Sequence, residues 1–503
     1  MQTKTSAARS ATGIAGLDVV LHGGFLASGL YLVDGNPGAG KTTLALQYLL
    51  RGLKDGERCL FVTLSETAAE LRAGARSHGW SLDGIDLVEL GPEESELEGD
   101  SELTMYHPSE VELTETMRKV LDAVERCKPQ RMVFDSLSEL RLLAQSSLRY
   151  RRQILALKQF FVDRACTVLL LDDRTAEGPD LQLQSIAHGV VSLDHKPPAY
   201  GPALRQLQVV KFRGSSFRSG LHDFVIRHGG LQVFPRITSA DSIVEFKRAQ
   251  VASGVALLDQ LLGGGVERGT STLLIGPPGS GKSTIALQYA AAAAQRGDHA
   301  AVFSFEESKA LILARLSGLG VRLREGNGPG TVAIRKLDPA EVTPGEFACL
   351  VQHAVEQEGA RVVVMDSLNG YLNAMPEERA LTSQLHELLT FLNNHGVATF
   401  IVAAQTGLMG PNMRSPIEAS YLADAVVMLR MFEHAGKVKK AISVLKKRSG
   451  PHEESIRQIW FDDRGIHLGE PLLHLRGVLT GVPVDTRLES GNMRAGDRQI
   501  DVR

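Results

Sequence analysis

The feature that most constrains this chain is a nine-residue glycine-rich motif that occurs twice. Residues 35–43 read GNPGAGKTT and residues 276–284 read GPPGSGKST, and both fit the pattern of a Gly, four residues, then Gly-Lys-Ser/Thr. Such a phosphate loop turns backbone N–H groups inward around an anion, and the helix that follows adds the positive end of its dipole. The predicted nucleotide-binding residues are Gly35, Asn36, Pro37, Gly38, Ala39, Gly40, Lys41, Thr42, Thr43, Gly276, Pro277, Pro278, Gly279, Ser280, Gly281, Lys282, Ser283 and Thr284.

The surroundings of each motif predict the order strand, loop, helix. Residues 29–33 and 270–275 are short apolar runs typical of buried strands, and each motif is followed by a helical pattern. In this arrangement the lysine reaches the outer phosphates of ATP and the hydroxyl residue that follows it ligates Mg²⁺. The sequence therefore predicts ATP and Mg²⁺ as the bound groups.

The two motifs belong to a long internal duplication. Asp18 and Asp259, Lys41 and Lys282, and Glu66 and Glu307 are each 241 positions apart, which is too long for a solenoid repeat. A chain of 503 residues also exceeds what one hydrophobic core usually serves. The predicted organisation is a polar, disordered N-terminus at 1–11, a first domain at 12–235, a linker at 236–251, a second domain at 252–485 and a disordered tail at 486–503.

Carboxylates follow other predicted strands of each half. Asp135 and Asp366 end buried strands, and we expect them to complete the Mg²⁺ shell with Thr42 and Ser283. Further carboxylates follow the strands at 59–64 and 301–305. Ligands of open α/β sheets bind at the carboxyl ends of parallel strands, so these residues are candidate catalytic groups: Glu66, Glu306 and Glu307.

A basic strand segment occurs late in each half. Lys211 and Arg213 in the first half recur as Lys446 and Arg448 in the second, 235 positions later in both cases. Such cations can neutralise the charge on a γ-phosphate, often from a neighbouring subunit. Strands and helices alternate throughout, which predicts a mostly parallel sheet flanked by helices in each half.

Composition excludes several classes of protein. The net charge of −3 gives no global field that would attract nucleic acid. The four cysteines form no C-x-x-C pair, which argues against a disulfide framework and a zinc knuckle. No 18-residue apolar run is present and the first residues lack an apolar signal core, so we expect a cytoplasmic protein without a membrane segment.

Over nearly its whole length the chain resembles the RecA-like ATPases of the KaiC family. The resemblance rests on the phosphate loops, the Asp-ending strands and several shorter matches: the GLD…GG lead-in, FVTLSET, FSFEES, KFRGSSFRSG, KKRSG and RGVLTGVP. It implies two tandem RecA-like domains that assemble into an ATP-stabilised ring, a hexamer in this family, with nucleotide at the subunit boundaries.

The resemblance also implies roles for single residues. Glu306 and Glu307 match a pair of catalytic glutamates, whereas Ser65 replaces the first of the pair in the first domain. The four basic residues named above match those that reach the neighbouring subunit's ATP. Ser420 matches one of two adjacent phosphorylated residues, and Tyr421 stands where the other is normally Thr. Asp424 matches an acidic residue after that site, and the first domain has His188 where an Asp is expected.

The leading hypothesis is an ATP-hydrolysing signalling protein of KaiC type with serine autokinase activity in the second domain. Its expected partners are further copies of itself and a KaiB-like or histidine-kinase signalling protein, but not KaiA, because the C-terminal tail does not resemble the peptide that KaiA engages. Two alternatives remain open at this stage. One is a DNA-dependent ATPase of the RecA, RadA or DnaB type, and the other is an ATP-gated scaffold without kinase activity.

Overall fold

The computed structural model describes residues 8–90, 108–162, 164–174, 181–197, 203–238, 244–373, 378–405, 422–480 and 482–486. The chain divides into two compact units, Met1–Arg236 and Ile237–Arg503. The division falls at the start of the segment 236–251 that the sequence predicts to be a linker.

Unit 1 alternates strands and helices, as its sequence predicts. Its strands are β1 (Arg9–Ser10), β2 (Phe25–Leu26), β3 (Leu30–Gly35), β4 (Cys59–Thr63), β5 (Ile85–Glu89), β6 (Arg131–Asp135), β7 (Thr167–Asp173), β8 (Gly189–Lys196), β9 (Leu204–Phe212), β10 (Leu221–Arg227) and β11 (Gly230–Phe234). Its helices are α1 (Ala15–Val20), α2 (Lys41–Lys54), α3 (Ala68–Ser77), α4 (Pro108–Cys127), α5 (Leu137–Ala144), α6 (Ser147–Val162) and α7 (Leu181–Ile186).

Unit 2 repeats this order. Its strands are β12 (Gln250–Val251), β13 (Val266–Glu267), β14 (Ser271–Gly276), β15 (His299–Ser304), β16 (Val332–Lys336), β17 (Ala360–Asp366), β18 (Ala398–Ala404), β19 (Ala425–His434), β20 (Lys437–Lys447), β21 (Arg457–Asp462), β22 (Gly465–Pro471), β23 (Leu475–Arg476) and β24 (Val484–Asp485). Its helices are α8 (Ala256–Leu261), α9 (Lys282–Gln295), α10 (Lys309–Gly318), α11 (Pro344–Glu356), α12 (Leu368–Asn373) and α13 (Glu378–Asn394), followed by a 3₁₀ turn at Val478–Thr480.

The main sheets of the two units have the same topology. Within the described residues each sheet has nine strands, in the order β11-β10-β9-β8-β3-β7-β6-β4-β5 and β16-β15-β17-β18-β14-β19-β20-β21-β22. The strands from β8 to β5, and their counterparts from β19 to β16, are parallel, and the last three strands at the other edge are antiparallel. The phosphate-loop strand is the fifth of nine in both sheets. The predicted class, two tandem RecA-like domains each with a mostly parallel sheet flanked by helices, is confirmed.

Burial on both faces of the sheet explains why the central strands are continuous apolar runs. Along β3, Tyr31 and Val33 pack into one hydrophobic layer, and Leu30 and Leu32 pack into the layer on the opposite face. In β14, Leu274 packs on one side of the sheet, and Leu273 and Ile275 pack on the other. Each phosphate loop therefore follows a central strand that is packed on both faces.

Candidate functional site

The first phosphate loop connects β3 to α2. Gly40 caps α2 in a left-handed conformation, with φ 104°, and Gly38 also has a positive φ of 74°. A Cβ at Gly40 would lie 2.5 Å from Cδ1 of Ile226, and one at Gly35 would lie 2.5 Å from the carbonyl oxygen of Leu193. Gly40 is therefore required by its backbone conformation and by the lack of space for a Cβ, and Gly35 by the lack of space.

The second phosphate loop connects β14 to α9 with the same geometry. Gly281 caps α9 with φ 107°, and a Cβ there would lie 2.2 Å from the ring of Phe461. Ser280 is fully buried, and its Oγ has no hydrogen-bond partner among the described residues. Buried polar groups normally find a partner, so this orphaned hydroxyl fits a loop shaped to enclose a polar ligand.

The two loop lysines are buried, with 7% exposure for Lys41 and 6% for Lys282. Lys282 donates to the carbonyl oxygen of Pro277 at 2.9 Å. Burial lowers the pKa of Lys282 to about 8, against the opposing effect of Asp366 and Glu306. A buried cation with so few oxygen partners is suited to an anionic ligand, and a phosphate fits the cradle.

The four predicted Mg²⁺ ligands come together in pairs. Thr42 donates from Oγ1 to Oδ2 of Asp135 at 3.1 Å, and Ser283 lies close enough to Asp366 to lower the pKa of its carboxyl group, against the larger effect of burial. Burial raises the pKa of Asp135 and of Asp366 to about 6 in each case, and carboxylates close by add to the increase. A buried carboxylate beside a hydroxyl is the oxygen set that Mg²⁺ prefers, and a divalent cation would stabilise its charged form.

The candidate glutamates occupy matching turns. The N–H of Glu66 donates to Thr63 Oγ1 at 3.0 Å, and the N–H of Glu307 donates to Ser304 Oγ at 3.2 Å, so these two glutamates are structural equivalents. Glu66 is exposed, and its pKa is raised by partial desolvation and then by Glu70. The position before it is Ser65, where unit 2 has an acidic residue.

In unit 2 the paired carboxylates have separate partners. Glu306 is exposed at the surface and accepts a hydrogen bond from Ser367 Oγ. Glu307 accepts from Nη1 of Arg315 at 2.7 Å, and its other carboxylate oxygen is buried without a partner among the described residues. Sequence reasoning missed both Arg315 and Ser367. Arg315 lies on α10, and Glu307 precedes that helix, so helical periodicity does not relate the two residues.

The basic pair in unit 1 lies near the amino ends of the parallel strands, whereas the phosphate loop lies at their carboxyl ends. Lys211 is paired with Val190 near the start of β8, and Arg213 N–H donates to the carbonyl oxygen of His188. Across β8, Lys211 is level with Leu32 and Arg213 with Leu30, which lie three and five residues before Gly35, or about 10 and 17 Å along a strand. The side chains are turned to carbonyls of the same edge, Lys211 to Gln184 and Arg213 to Ser185.

Unit 2 places its basic pair in the same way. Lys446 is opposite Val426 in the β19–β20 ladder and donates to the carbonyl oxygen of Ala423 at 2.8 Å. Arg448 N–H donates to the carbonyl oxygen of Asp424, and its guanidinium lies 3.7 Å from the Asp424 carboxylate. Neither basic pair is near the phosphate loop of its own unit.

His188 and Asp424 also occupy equivalent positions. Nδ1 of His188 accepts from the N–H of Leu30 at 2.9 Å, and Oδ2 of Asp424 accepts from the N–H of Ser271 at 2.9 Å. Each acceptor thus anchors the first residue of the phosphate-loop strand. Histidine in unit 1 and aspartate in unit 2 therefore place different charges beside the basic pair. Burial is the main cause that lowers the pKa of His188, and the positive charge of Lys158 lowers it further. The predicted phosphosite Ser420 and its neighbour Tyr421 lie outside the described residues.

Comparison with known proteins agrees with this geometry. A family model described as ATPase: KaiC matches residues 10–238 and 251–472, which is most of the chain. The chain belongs to the KaiC ATPase family. Membership supports ATP hydrolysis as its activity and agrees with the paired phosphate loops, and KaiC-like ATPases in general bind ATP with Mg²⁺.

Several KaiC proteins are similar over nearly their full length. The circadian clock protein KaiC3 of Synechocystis sp. is 24% identical over 485 residues, which cover 94% of each chain. The circadian clock oscillator protein KaiC of Thermostichus vulcanus is 24% identical over 522 residues, with 99% of this chain and 97% of the relative covered. The protein of the same description in Synechococcus elongatus is 24% identical over 496 residues, 95% and 92% of the two chains. None of the helices among the described residues has the length and hydropathy that a bilayer-spanning segment needs.

The two nucleotide sites of this KaiC-family chain differ at the lysine. Lys41 donates to Asp173 Oδ1 at 2.6 Å and to the carbonyl oxygens of Gly35 and Asn36, both at 3.1 Å. Asp173 pairs with Gly35 across β3 and β7, and the residue that pairs with Gly276 in unit 2 is Ala404. Within the described parts of the two units, Lys41 forms a salt bridge with a carboxylate and Lys282 does not, so phosphate would compete with Asp173 in unit 1. Sequence reasoning missed Asp173, which is the last residue of β7.

We predict that Asp173→Ala raises the ATP affinity of unit 1 and that Ala404→Asp lowers that of unit 2. Each change is expected to be about threefold to tenfold, because Asp173 is one-third exposed and its attraction for Lys41 is screened by water. Fluorescent ATP-analogue titrations measure unit 1 in a Lys282→Ala background and unit 2 in a Lys41→Ala background. Unchanged affinities in both reciprocal variants would contradict competition at the lysine.

We also predict that ATP binding to unit 2 takes up a proton above pH 8. Lys282 becomes neutral as pH rises through its pKa of about 8, and bound phosphates would restore the ammonium form, so affinity falls by up to about tenfold per pH unit. Calorimetry of a Lys41→Ala protein at pH 8.5, in two buffers with different ionisation enthalpies, measures the uptake. Lys282→Arg should abolish it, and equal uptake in that variant would assign the proton to another group.

Proposed function

We propose that this chain is an ATP-dependent signalling enzyme that hydrolyses Mg-ATP at both units and transfers phosphate to its own Ser420 from unit 2. The observation that carries the proposal is the arrangement around Lys282. A buried lysine, an Asp366–Ser283 pair and two glutamates converge on one phosphate loop. Positioning and electrostatic stabilisation of this kind account for most of the catalysis in phosphoryl transfer.

In each site the chain's own residues bind and orient the phosphates. The loop N–H groups and the lysine hold the outer phosphate oxygens, and Thr42 with Asp135, or Ser283 with Asp366, would hold Mg²⁺. Bound Mg²⁺ supplies positive charge that stabilises the transferring phosphoryl group. Burial raises the pKa of Asp135 and of Asp366, so a bound divalent cation would stabilise the charged form of both carboxyl groups.

The glutamates would orient the attacking hydroxyl or water and accept its proton. Unit 2 offers two carboxylates, of which Glu307 is held by Arg315 and Glu306 is exposed beside Ser367. Unit 1 offers Glu66 alone, because Ser65 has no acidic group. Lys41 in that unit is also engaged by Asp173. Unit 2 is therefore proposed as the more active site, and unit 1 as the one that hydrolyses its nucleotide more slowly.

The basic pairs support an assembly of several copies. The four basic residues lie about 10 Å or more along the strand direction from the loop of their own unit, so a phosphate that they touch is proposed to belong to another copy: Lys211, Arg213, Lys446 and Arg448. We propose an ATP-dependent ring, with six copies as the expected number from the family resemblance. A KaiB-like or histidine-kinase protein is the proposed type of output partner.

We predict that this ring requires the basic pairs. In the presence of a slowly hydrolysed ATP analogue and Mg²⁺, light scattering should show an assembly of several copies. Charge removal at all four basic positions should shift the mass towards the single chain, because each cation would otherwise pair with phosphate across a boundary. Arg72→Ala, on the exposed side of α3, serves as the surface control. A wild-type protein that stays monomeric at micromolar concentration with nucleotide would overturn the proposed ring.

We predict that Glu307→Gln lowers ATP turnover more than Glu66→Gln does. Loss of a general base typically costs about 100-fold or more at the affected site, so the first variant should retain little more than the activity of unit 1. Initial rates of phosphate release measure the effect, with Lys41→Ala and Lys282→Ala as the references for each single site. Glu341→Gln, an exposed residue, should match the wild type. The assignment fails if Glu66→Gln removes most of the turnover and Glu307→Gln little.

We predict a single phosphosite, Ser420, after incubation with Mg-ATP. Ser420 is four positions before Asp424 in the sequence, and Asp424 anchors the start of β14 and pairs with Arg448, so a new phosphate would add negative charge to the segment that leads into this pair. Phosphate should be absent in Ser420→Ala and Lys282→Ala and retained in Lys41→Ala, provided that the ring still forms. Phosphosite mapping by mass spectrometry tests this outcome, with Tyr421→Phe as the matched control that should keep the Ser420 phosphate. An unmodified segment 414–424 would leave the chain an ATPase without kinase activity.

A further inference from the structure

A cluster of two histidines and one aspartate lies at the C-terminal end of unit 2. The side chains of His434, His474 and Asp485 come from three separate segments, and their ligand atoms all lie within 4.8 Å of one another. All three residues are partly buried. None belongs to the nucleotide site, and none is among the residues that the family resemblance identifies.

The backbone around the cluster is well braced. Asp485 pairs with Leu475 in the short β23–β24 hairpin, and Leu475 is the residue that follows His474. The N–H and the Oγ1 of Thr486 both donate to the carbonyl oxygen of His474, at 3.0 and 3.1 Å. His474 and Asp485 are therefore held side by side by four residues of backbone pairing.

The third member comes from the long β19–β20 hairpin. His434 is the last residue of β19, and it lies two positions after Phe432, so the two side chains are on the same face of the strand. Phe432 is fully buried in a small core with Leu475 and Val478. Strand periodicity thus directs His434 towards the C-terminal hairpin that bears the other two ligands.

The two imidazole rings are placed so that their nitrogens can converge. The ring centroids of His434 and His474 are 6.3 Å apart at an interplanar angle of 63°, which is an edge arrangement rather than a stack. Two ligands of one Zn²⁺ ion, each about 2.1 Å from it, lie at most about 4 Å apart. Small side-chain rotations are enough to reach that spacing from a separation of 4.8 Å or less.

We propose that His434, His474 and Asp485 bind a divalent transition-metal ion of the Zn²⁺ type. Two imidazoles and a carboxylate suit Zn²⁺ and its neighbours, whereas Mg²⁺ and Ca²⁺ take oxygen ligands. With three protein ligands, water would complete a four-coordinate shell. The metal fastens the C-terminal hairpin to the tip of the β19–β20 hairpin, and it does so independently of the nucleotide sites.

The experiment uses untagged full-length protein, stripped with a chelator and then held in excess Mg-ATP so that the nucleotide sites are saturated. Titration with Zn²⁺ against a chromogenic chelator should show one site per chain. His434→Ala and His474→Ala should each weaken binding by about tenfold or more. His467→Ala removes another partly buried histidine of unit 2, one paired with Asp462, and should bind as the wild type does.

Asp485→Asn tests the site without removing side-chain volume. It should weaken Zn²⁺ binding while the thermal unfolding of the metal-free protein stays at the wild-type temperature. Hydrogen exchange over residues 475–486 gives a second readout, since Zn²⁺ should slow exchange in the wild type and not in His434→Ala. Less than one Zn²⁺ per chain, or equal affinity in all four variants, would overturn the proposal.

Discussion

A left-handed glycine immediately before the phosphate-loop lysine fixes the geometry of each unit. Gly40 and Gly281, with φ 104° and 107°, let the helix start directly behind the central strand. In unit 1 the side chain of Lys41 turns back to the loop carbonyls. The hydroxyl of Thr42 reaches Asp135, which ends β6, two strands away from β3 in the sheet. Everything proposed for ATP and Mg²⁺ depends on this one turn, which a Cβ would both strain and block.

On this shared frame the two units carry different chemistry. Beneath the first loop, Asp34 is buried and bound by Arg174 and Ser192, whereas unit 2 has Ile275 at that place in its sheet. Because Lys41 is also paired with Asp173, the charged groups of the unit 1 site are paired with one another. The site of unit 2 is more apolar at that place, Lys282 has fewer hydrogen-bond partners than Lys41 among the described residues, and the turn after β15 carries the additional glutamate. This contrast is the physical basis for proposing slower hydrolysis in unit 1 and phosphoryl transfer to Ser420 from unit 2.

Local patterns predicted the fold and nominated the candidate residues of each site, because phosphate loops and buried parallel strands leave strong signals in sequence. The pairing of Thr42 with Asp135 followed from the rule that parallel strands end at one edge. The partners that tune the site did not follow. Asp173 and Arg315 act through side-chain directions that no periodicity fixes, and the placement of Lys211 far from its own loop depends on the antiparallel turn of β9. Ser420 stays a prediction.

The central claim is that each unit binds its own nucleotide and that the two sites are unequal. Equilibrium dialysis of the full chain with a radiolabelled, slowly hydrolysed ATP analogue and Mg²⁺ tests it most directly. The account predicts two bound nucleotides per chain in two affinity classes, with one class lost in Lys41→Ala and the other in Lys282→Ala. A single nucleotide per chain, or two sites that both vanish in either variant, would contradict it.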